Sequence, residues 1–408
     1  ATENGDNALT LVATREPTSH QPMMRHVLMS PGAIWIGDRG LAKHAVVPTG
    51  NRLPAQSLEN SFPGDVFDHS IELFGNVLVS VRRAGGRAGV VVAAIDAGSG
   101  RILWENVLAA PPAAGPIVDD ATRTLAFADV NGLVFRFDEQ AVRSRVQNQP
   151  LSAGPAEPGQ PRLTAGTHLG EGRGVFAAPG EADRLLFYNP TAGRQPLRWI
   201  KLPSTLACDV SLFDGGVLAP LEVGQVFYLD PADGRSLAAP FQPRLEPRKK
   251  MHFQPAGQVD GDGLRFVISD GQEKIYLVQY VEQPTPHFTL VAEAEVGPYP
   301  IVSRFVALRD HAFAVTEAGQ LARFTLPSLD SAGESILPAM PVWGPYRVGA
   351  MIMLGTADER LLAVEAEGNV VWNTPLPSGE LAGPPLESAD GVLVAYRSGK
   401  LEKRALAN

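Results

Sequence analysis

Few residues in this chain are of a type and spacing that could do chemistry. Asp260-Gly261-Asp262-Gly263 sets two carboxylates across a turn, a pairing that suits a hard cation such as calcium. An EF-type calcium loop runs on through a longer ligand series to a closing Glu. No such series follows, so this segment reads as a hairpin turn. The eight histidines (His20, His26, His44, His69, His168, His252, His287 and His311) include no i,i+4 pair on a helix and no His-Glu-x-x-His. Each therefore reads as a surface or satisfied core group unless the fold brings two together. Cys208 is the one cysteine, which excludes an intrachain disulfide and a Cys-rich zinc site. Neither Gly-x-Ser-x-Gly nor Gly-x-x-x-x-Gly-Lys-Ser/Thr occurs, so hydrolase and nucleotide-binding readings have no support. Gly170-Glu171-Gly172-Arg173-Gly174 is glycine-rich, but no helix pattern follows to present an N-terminus to phosphate, and it reads as a flexible turn. Arg248-Lys249-Lys250, ahead of Met251-His252-Phe253, is the densest basic cluster. It reads as a solvated loop, with an acidic partner or anionic lipid as the alternative. No catalytic, cofactor-binding or metal-binding residue is assigned, and no cofactor is expected.

The elements that would position such residues are strands. The chain has 408 residues, of which 44% are hydrophobic and 19% charged, with 41 Gly and 35 Pro. That mix gives frequent turns, and no heptads or long amphipathic helices are found. A formal charge of −9 argues against nucleic acid as the main partner, because phosphate binding needs a positive field. No run of about 18 apolar residues is present, so no transmembrane helix is expected. Ala at position 1 and a polar start through Asp6 leave a removed signal peptide or a larger amino-terminal portion open.

Nine hairpin-like turns recur about 40 to 50 residues apart. They lie at Gly37-Asp38-Arg39-Gly40, Gly85-Gly86, Asn131-Gly132, Gly180-Glu181, Val223-Gly224, Asp270-Gly271, Ala318-Gly319, Ala357-Asp358-Glu359 and Ser398-Gly399. Short apolar runs flank them, among them Val77 to Val81, Val90 to Ile95, Leu125 to Ala128, Phe266 to Ile268 and Met351 to Leu354. Runs of this length suit strands of small sheets buried on both faces by neighbouring sheets. The last unit, Leu381 to Leu406, offers three strands, and the orphan strand Leu9-Thr10-Leu11-Val12 within segment 1–28 could complete it and close a ring. Segments 148–161 and 241–250 are polar and Pro-rich and read as surface loops within a single domain, 1–408.

The most regular unit is Ala94-Ile95-Asp96-Ala97-Gly98-Ser99-Gly100-Arg101-Ile102-Leu103-Trp104. It resembles the tryptophan-docking motif of the PQQ-like (quinoprotein-like) β-propellers, Ala-x-Asp-x-x-Thr-Gly-x-x-x-Trp, with Ser99 in place of Thr. Degenerate copies run from Phe187 to Trp199, from Tyr228 to Arg235 without a Trp, and from Ala363 to Trp372. The resemblance implies an all-β propeller of four-stranded antiparallel blades, with eight blades expected within a range of seven to nine. It also implies that Trp104 and Trp372 pack between blades, while Asp and Gly hold the turns. Trp35 and Trp343 lie outside the motif and also read as packing residues.

The enzymatic branch of that family uses pyrroloquinoline quinone, a metal ion and often a disulfide of adjacent cysteines, none of which this sequence supports. The resemblance therefore implies the non-catalytic branch, which includes a propeller lipoprotein of the outer-membrane β-barrel assembly machinery. The lipobox cysteine of that lipoprotein is missing here. The expectation is a monomeric, extracytoplasmic protein-interaction scaffold in the cell envelope, or a module of a larger protein, whose protein partner is unknown. The alternative is a PQQ- or metal-dependent enzyme or small-ligand binder using the central channel.

Overall fold

The computed structural model describes residues 9–15, 26–84, 90–108, 110–119, 121–138, 151–152, 161–193, 195–244, 251–259, 264–376, 381, 385–388, 391–396 and 400–406. Four features named above lie wholly outside these residues: Gly85-Gly86, Asp260-Gly261-Asp262-Gly263, Arg248-Lys249-Lys250 and Ser398-Gly399.

Among the described residues there are strands and turns, with no helix, and nine sheets follow one another along the chain. The first comprises His26–Ser30, Ala33–Asp38, Gly40–Ala45 and Ala55–Gln56. The second comprises Val66–Phe67 with Glu72–Phe74, then Val77–Arg83, Val90–Asp96 and Ile102–Leu108. The third has Ile117–Asp119, Thr124–Ala128 and Val134–Asp138, and the fourth Ala165–Gly170, Arg173–Ala177, Arg184–Tyr188 and Leu197–Lys201. The fifth has Ser211–Phe213, Gly216–Pro220 and Val226–Leu229; the sixth Gly257–Val259, Arg265–Ser269, Lys274–Val281 and His287–Glu295. The seventh has Val306–Leu308, His311–Val315, Leu321–Thr325 and Ser331–Ser335; the eighth Pro341–Val348, Met351–Thr356, Arg360–Val364 and Val370–Pro375. The ninth joins Leu386–Ser388, Gly391–Ala395 and Leu401–Leu406 to Leu9–Arg15, which pairs antiparallel with Leu401–Leu406. The orphan strand thus lies where it was expected. The blade number is nine, within the expected range though not the eight favoured in it: nine sheets are present among the described residues, and the seven described turns each fall in a different one.

Two compact units divide the chain. Leu9–Phe176, Tyr188–Leu197 and Ser378–Asn408 form one; Ala177–Phe187 and Arg198–Pro377 lie in the other. Within the first unit, alternation sends neighbouring side chains to opposite faces. Leu78, Ala93 and Ile95 pack with Trp35, Phe67 and Ile71 against the first sheet, while Val79, Val81, Val92 and Ala94 pack with Trp104, Phe127 and Phe137 against the third. Both faces of Val77–Arg83 and Val90–Asp96 are therefore buried, which is why these strands read as unbroken apolar runs. The second unit repeats the pattern. Phe213, Tyr228 and Phe266 fill the space between the fifth and sixth sheets, and Phe313, Leu354 and Leu362 that between the seventh and eighth.

The docking turn is built from two backbone bonds and a carboxylate that caps it. Asp96 N–H donates to Arg101 O at 2.8 Å and Gly100 N–H to Asp96 O at 2.8 Å, while the Asp96 carboxylate accepts the N–H and the hydroxyl of Ser99, each at 2.8 Å. Those bonds, the Ser99 N–H foremost, hold the Asp96 carboxyl below its ordinary range. Gly100 has φ +77, and a Cβ there would meet Leu58, so glycine is required twice over. Asp230 and Gly234 make the same pair of backbone bonds in the fifth sheet. Asn131-Gly132 forms a tighter hairpin in which Gly132 alone takes positive φ and the Asp129 carboxylate accepts the N–H groups of Asn131 and Leu133.

In the second, sixth, seventh, eighth and ninth sheets the register between the two outermost strands shifts at a bulge. A bulged outer strand is a poor template for pairing with another chain, so these edges are protected. Other expectations change. Gly170 to Gly174 is not a flexible stretch: it is the turn between Ala165–Gly170 and Arg173–Ala177, with no room for a Cβ at Gly174 because Ile117 fills the space. Of 241–250, Phe241 is buried and bridges to Val226, and 245–250 lie outside the described residues. Of 148–161, Leu151 bridges to Val134, and 148–150 and 153–160 lie outside the described residues. Met251 and Phe253, which flank the basic cluster, are core residues.

Candidate binding cleft

Most groups with chemical potential are used structurally. His44 is buried with Nδ1 3.2 Å from Leu53 O. Burial drives the Cys208 thiol above its ordinary value, which disfavours the thiolate. Trp104 and Trp372 are buried, and Trp35 packs in the core with the Lys43 ammonium 4.8 Å from its ring centroid. Trp343 is half-buried against Gly355, where its indole takes the space a Cβ would need, and Tyr346 lies 5.4 Å away.

One convergence of histidines does occur. His26 opens the first strand of the first sheet, opposite Gly37, and a Cβ on Gly37 would strike Ile71 and Phe67, which bracket His69 in sequence. Burial and then the neighbouring His69 lower the His26 pKa, and burial lowers that of His69. Burial raises that of Glu72. Among the described residues, no group of three or more His, Cys, Asp or Glu side chains is placed to hold a metal ion.

These shifts fix the acid behaviour. Below 6.5 the unfolded histidines take up protons that the folded ones refuse, so stability falls as pH drops from 6.5 through the folded values. Glu72 acts in the opposite sense: its folded form prefers the proton, so its unfavourable contribution above 4.5 is relieved as pH falls through its raised folded value. The expected result is a lower thermal midpoint between about pH 7 and pH 5, with a smaller fall in a His26→Gln/His69→Gln variant. An equal fall in both proteins would show that the pair does not sense the proton.

A concave site lies elsewhere in the same unit, where the loop after Ala55–Gln56 crosses the docking turn of the second sheet. Glu59 N–H donates to Ser99 O at 2.9 Å, the Asn60 amide to Gly100 O at 3.2 Å, and Leu41 N–H to Ser61 O at 2.7 Å. The loop is thereby held between two turns and drives Phe62 into the left-handed region at φ +50, a conformation a bulky residue adopts only when its surroundings impose it. The Phe62 ring lies edge-on to Phe67 and under the Arg82 guanidinium, 4.1 Å from its centroid.

Arg82 ends the buried alternation Leu78, Ser80, Arg82 and is only 3% exposed. Its Nε donates to Asp65 at 2.7 Å and its Nη2 to Glu105. Nη1 is buried and has no hydrogen-bond acceptor among the described residues. The cleft of about 470 Å³ is walled by Phe62, Pro63, Ala84 and Ile102, with Glu59, Asp65, Arg82 and Glu105 supplying charge. Sequence reasoning did not find this site. Its one sequence signal is a charge continuing an apolar alternation at Arg82; Asp65 and Glu105 carry none.

The second unit presents an apolar band. Ile301 bridges to Thr316, Glu317 N–H donates to Pro300 O, and the Met340 side chain fills the space a Cβ on Gly319 would need. Tyr299 and Val302 thus flank a bridge to the seventh sheet, and Met340 and Val342 lie at the start of the eighth beside Gly319 of the seventh, each of the four close to half exposed.

No family model matches the chain, and no curated protein matches it in sequence. Solved structures match in fold. The structure of BamB from Moraxella catarrhalis aligns with a TM-score of 0.53 at 13% identity, covering 97% of this chain and 99% of that one. A computationally designed protein, Ika8, gives 0.51 at 10% identity with the same coverage. The fold is a β-propeller. At these identities the likeness speaks for the architecture alone, and the function of this propeller rests on its own surfaces.

Proposed function

We propose that this β-propeller is a non-catalytic protein-interaction scaffold, acting in the cell envelope or as a module of a larger protein. The apolar band carries the reading. Isolated exposed apolar side chains are ordinary, but four of them on adjoining segments of the seventh and eighth sheets, with exposed Arg304 and Glu317 on the same segments, have the make-up of a contact core with a polar rim. The turn-forming polar residues support the same reading, because Asp96, Asp129, Asn189 and Asp270 spend their side chains on backbone N–H groups. An extracytoplasmic location is part of this proposal, drawn from the resemblance of the docking motif, and is checked by cell fractionation.

Capture experiments test the scaffold. A Met340→Asp/Val342→Asp variant is expected to weaken partner capture from an envelope extract at least about 30-fold, the scale of losing hot-spot contacts, with the circular dichroism spectrum unchanged. Undiminished capture by the folded variant would remove the band from the binding surface. The cleft at Arg82 favours a second reading, a small-ligand site.

A further inference from the structure

We propose that the junction between the first and second sheets is an acid-sensitive latch, held shut by neutral His26 and His69 and released between about pH 7 and pH 5.5. One edge of the second sheet is broken at this junction. Val66–Phe67 and Glu72–Phe74 pair separately with Val77–Arg83, and residues 68–71 between them belong to no strand. The break is wedged between neighbours. On one side Phe67 and Ile71 fill the space a Cβ on Gly37 would need, and Gly37 lies opposite His26; on the other, the Ser70 hydroxyl fills that space at Gly115, which brings no charge. A segment without ladder bonds is kept in place by such side-chain contacts and is the first to open when they fail.

His26 is the pin. Its ring donates to the backbone at Phe67 and Asp68, and its Nε2 is buried with no hydrogen-bond partner among the described residues. Only the neutral ring suits this setting, because a proton on Nε2 would be a buried donor without an acceptor, close to a second imidazole at His69. The charges that face the pair do not relieve it. Asp68 acts on both histidines but is held by the Arg83 guanidinium through two bonds. Glu72, whose carboxyl bonds Ser70, works in the opposite sense, since burial makes its closed form favour the proton. With Nε2 closed off, the proton enters when the segment lifts away and then holds the open form. For a histidine that titrates at 6.5 when open and resists the proton when closed, the open fraction rises up to about tenfold at pH 5.5. The latch is independent of the scaffold reading, since its residues all fall within Leu9–Phe176 and those of the band within Arg198–Pro377.

Amide hydrogen exchange of the full chain at pH 7 and pH 5.5 tests it, expressed as protection factors so that the intrinsic dependence of exchange on pH drops out. Protection of His26–Ser30 and of residues 66–74 should fall about tenfold or more, while Gly216–Pro220 and Met351–Thr356 keep theirs. A His26→Gln/His69→Gln variant should lose most of that fall. His69→Gln alone, a change at a half-buried position, should remove about half of it on a logarithmic scale, so the test survives if the double variant does not fold. Glu72→Gln should enlarge the response, because it removes the opposing proton uptake. Protection at the junction unchanged by pH, an equal loss throughout the chain, or an undiminished fall in the histidine variants would overturn the proposal. Partner capture through the apolar band is read separately, so either conclusion can fail without the other.

Discussion

Replacing Glu402 with Ala is expected to cost about 3–5 kcal/mol of stability, the scale of breaking a buried ion pair by removing one partner. Glu402 is fully buried in Leu401–Leu406, the strand that pairs with Gly391–Ala395 on one side and with Leu9–Arg15 on the other. Its Oε2 accepts the Tyr396 hydroxyl at 2.6 Å and the Arg404 guanidinium at 2.6 and 3.0 Å, while Oε1 faces the Lys400 ammonium at 3.4 Å. Burial and then the bond to Glu402 raise the Tyr396 pKa far beyond a free phenol, as expected of a hydroxyl held as a donor to a carboxylate. Truncation leaves two cations and a hydroxyl around a void in a low-dielectric interior. Glu402→Gln keeps the volume but not the charge and should cost less. The exposed pair Arg309–Glu367 is the control, where Glu367→Ala should stay within about 0.5 kcal/mol. Urea unfolding of the three variants measures this. A Glu402→Ala cost under about 1 kcal/mol would mean that the cluster holds no more than a surface ion pair does.

That cluster was invisible in the sequence, and the reason is general. Strands buried on both faces announce themselves locally, so Val77 to Val81, Val90 to Ile95 and the orphan Leu9 to Val12 are legible from composition and turn residues alone. Tyr396, Lys400, Glu402 and Arg404 look like the polar residues of an ordinary exposed hairpin, and nothing local shows that Leu9–Arg15 will pair with Leu401–Leu406 and make it an inner strand. Arg82 is the same case, because Asp65 lies 17 residues before it and Glu105 23 residues after. Its neighbour Arg83 shows the same residue type put to ordinary use, 63% exposed and paired with Asp68.

The blade number teaches something different. Nine turns were legible, and eight followed only from trusting the resemblance over the count. Local turn chemistry was the better guide, since each turn answers to its own backbone bonds while blade number is free to vary among propellers. The candidate cleft was illegible for a further reason: Phe62 acquires its left-handed conformation from the turns on either side of it, at Gly40 and Gly100, and nothing in its own neighbourhood of sequence asks for it.

The docking-motif tryptophan offers the sharpest test of how the blades are held together. Trp104 is buried, and its ring stacks on Phe137 of the third sheet with centroids 5.0 Å apart and an interplanar angle of 23°. Phe127 meets the same Phe137 edge-on, so one aromatic column spans the gap between the second and third sheets. Trp104→Ala should therefore cost about 3–5 kcal/mol, the combined loss of apolar burial and a cavity that rigid neighbouring sheets cannot close. Trp104→Phe, which retains the stacking, should cost less than half of that. Amide hydrogen exchange locates the damage: exchange in Thr124–Asp138 and Ile102–Leu108 should accelerate, while Gly391–Ala395, held by the Glu402 cluster, should keep its protection. A Trp104→Ala protein with stability and exchange unchanged would mean that the ring is not an inter-blade plug, leaving ligand stacking as its role. Because Phe137 lies on the last described strand of the third sheet, the predicted loosening is directional. It should spread from the plug into the third sheet, leaving the first sheet with its own buried aromatic, Trp35.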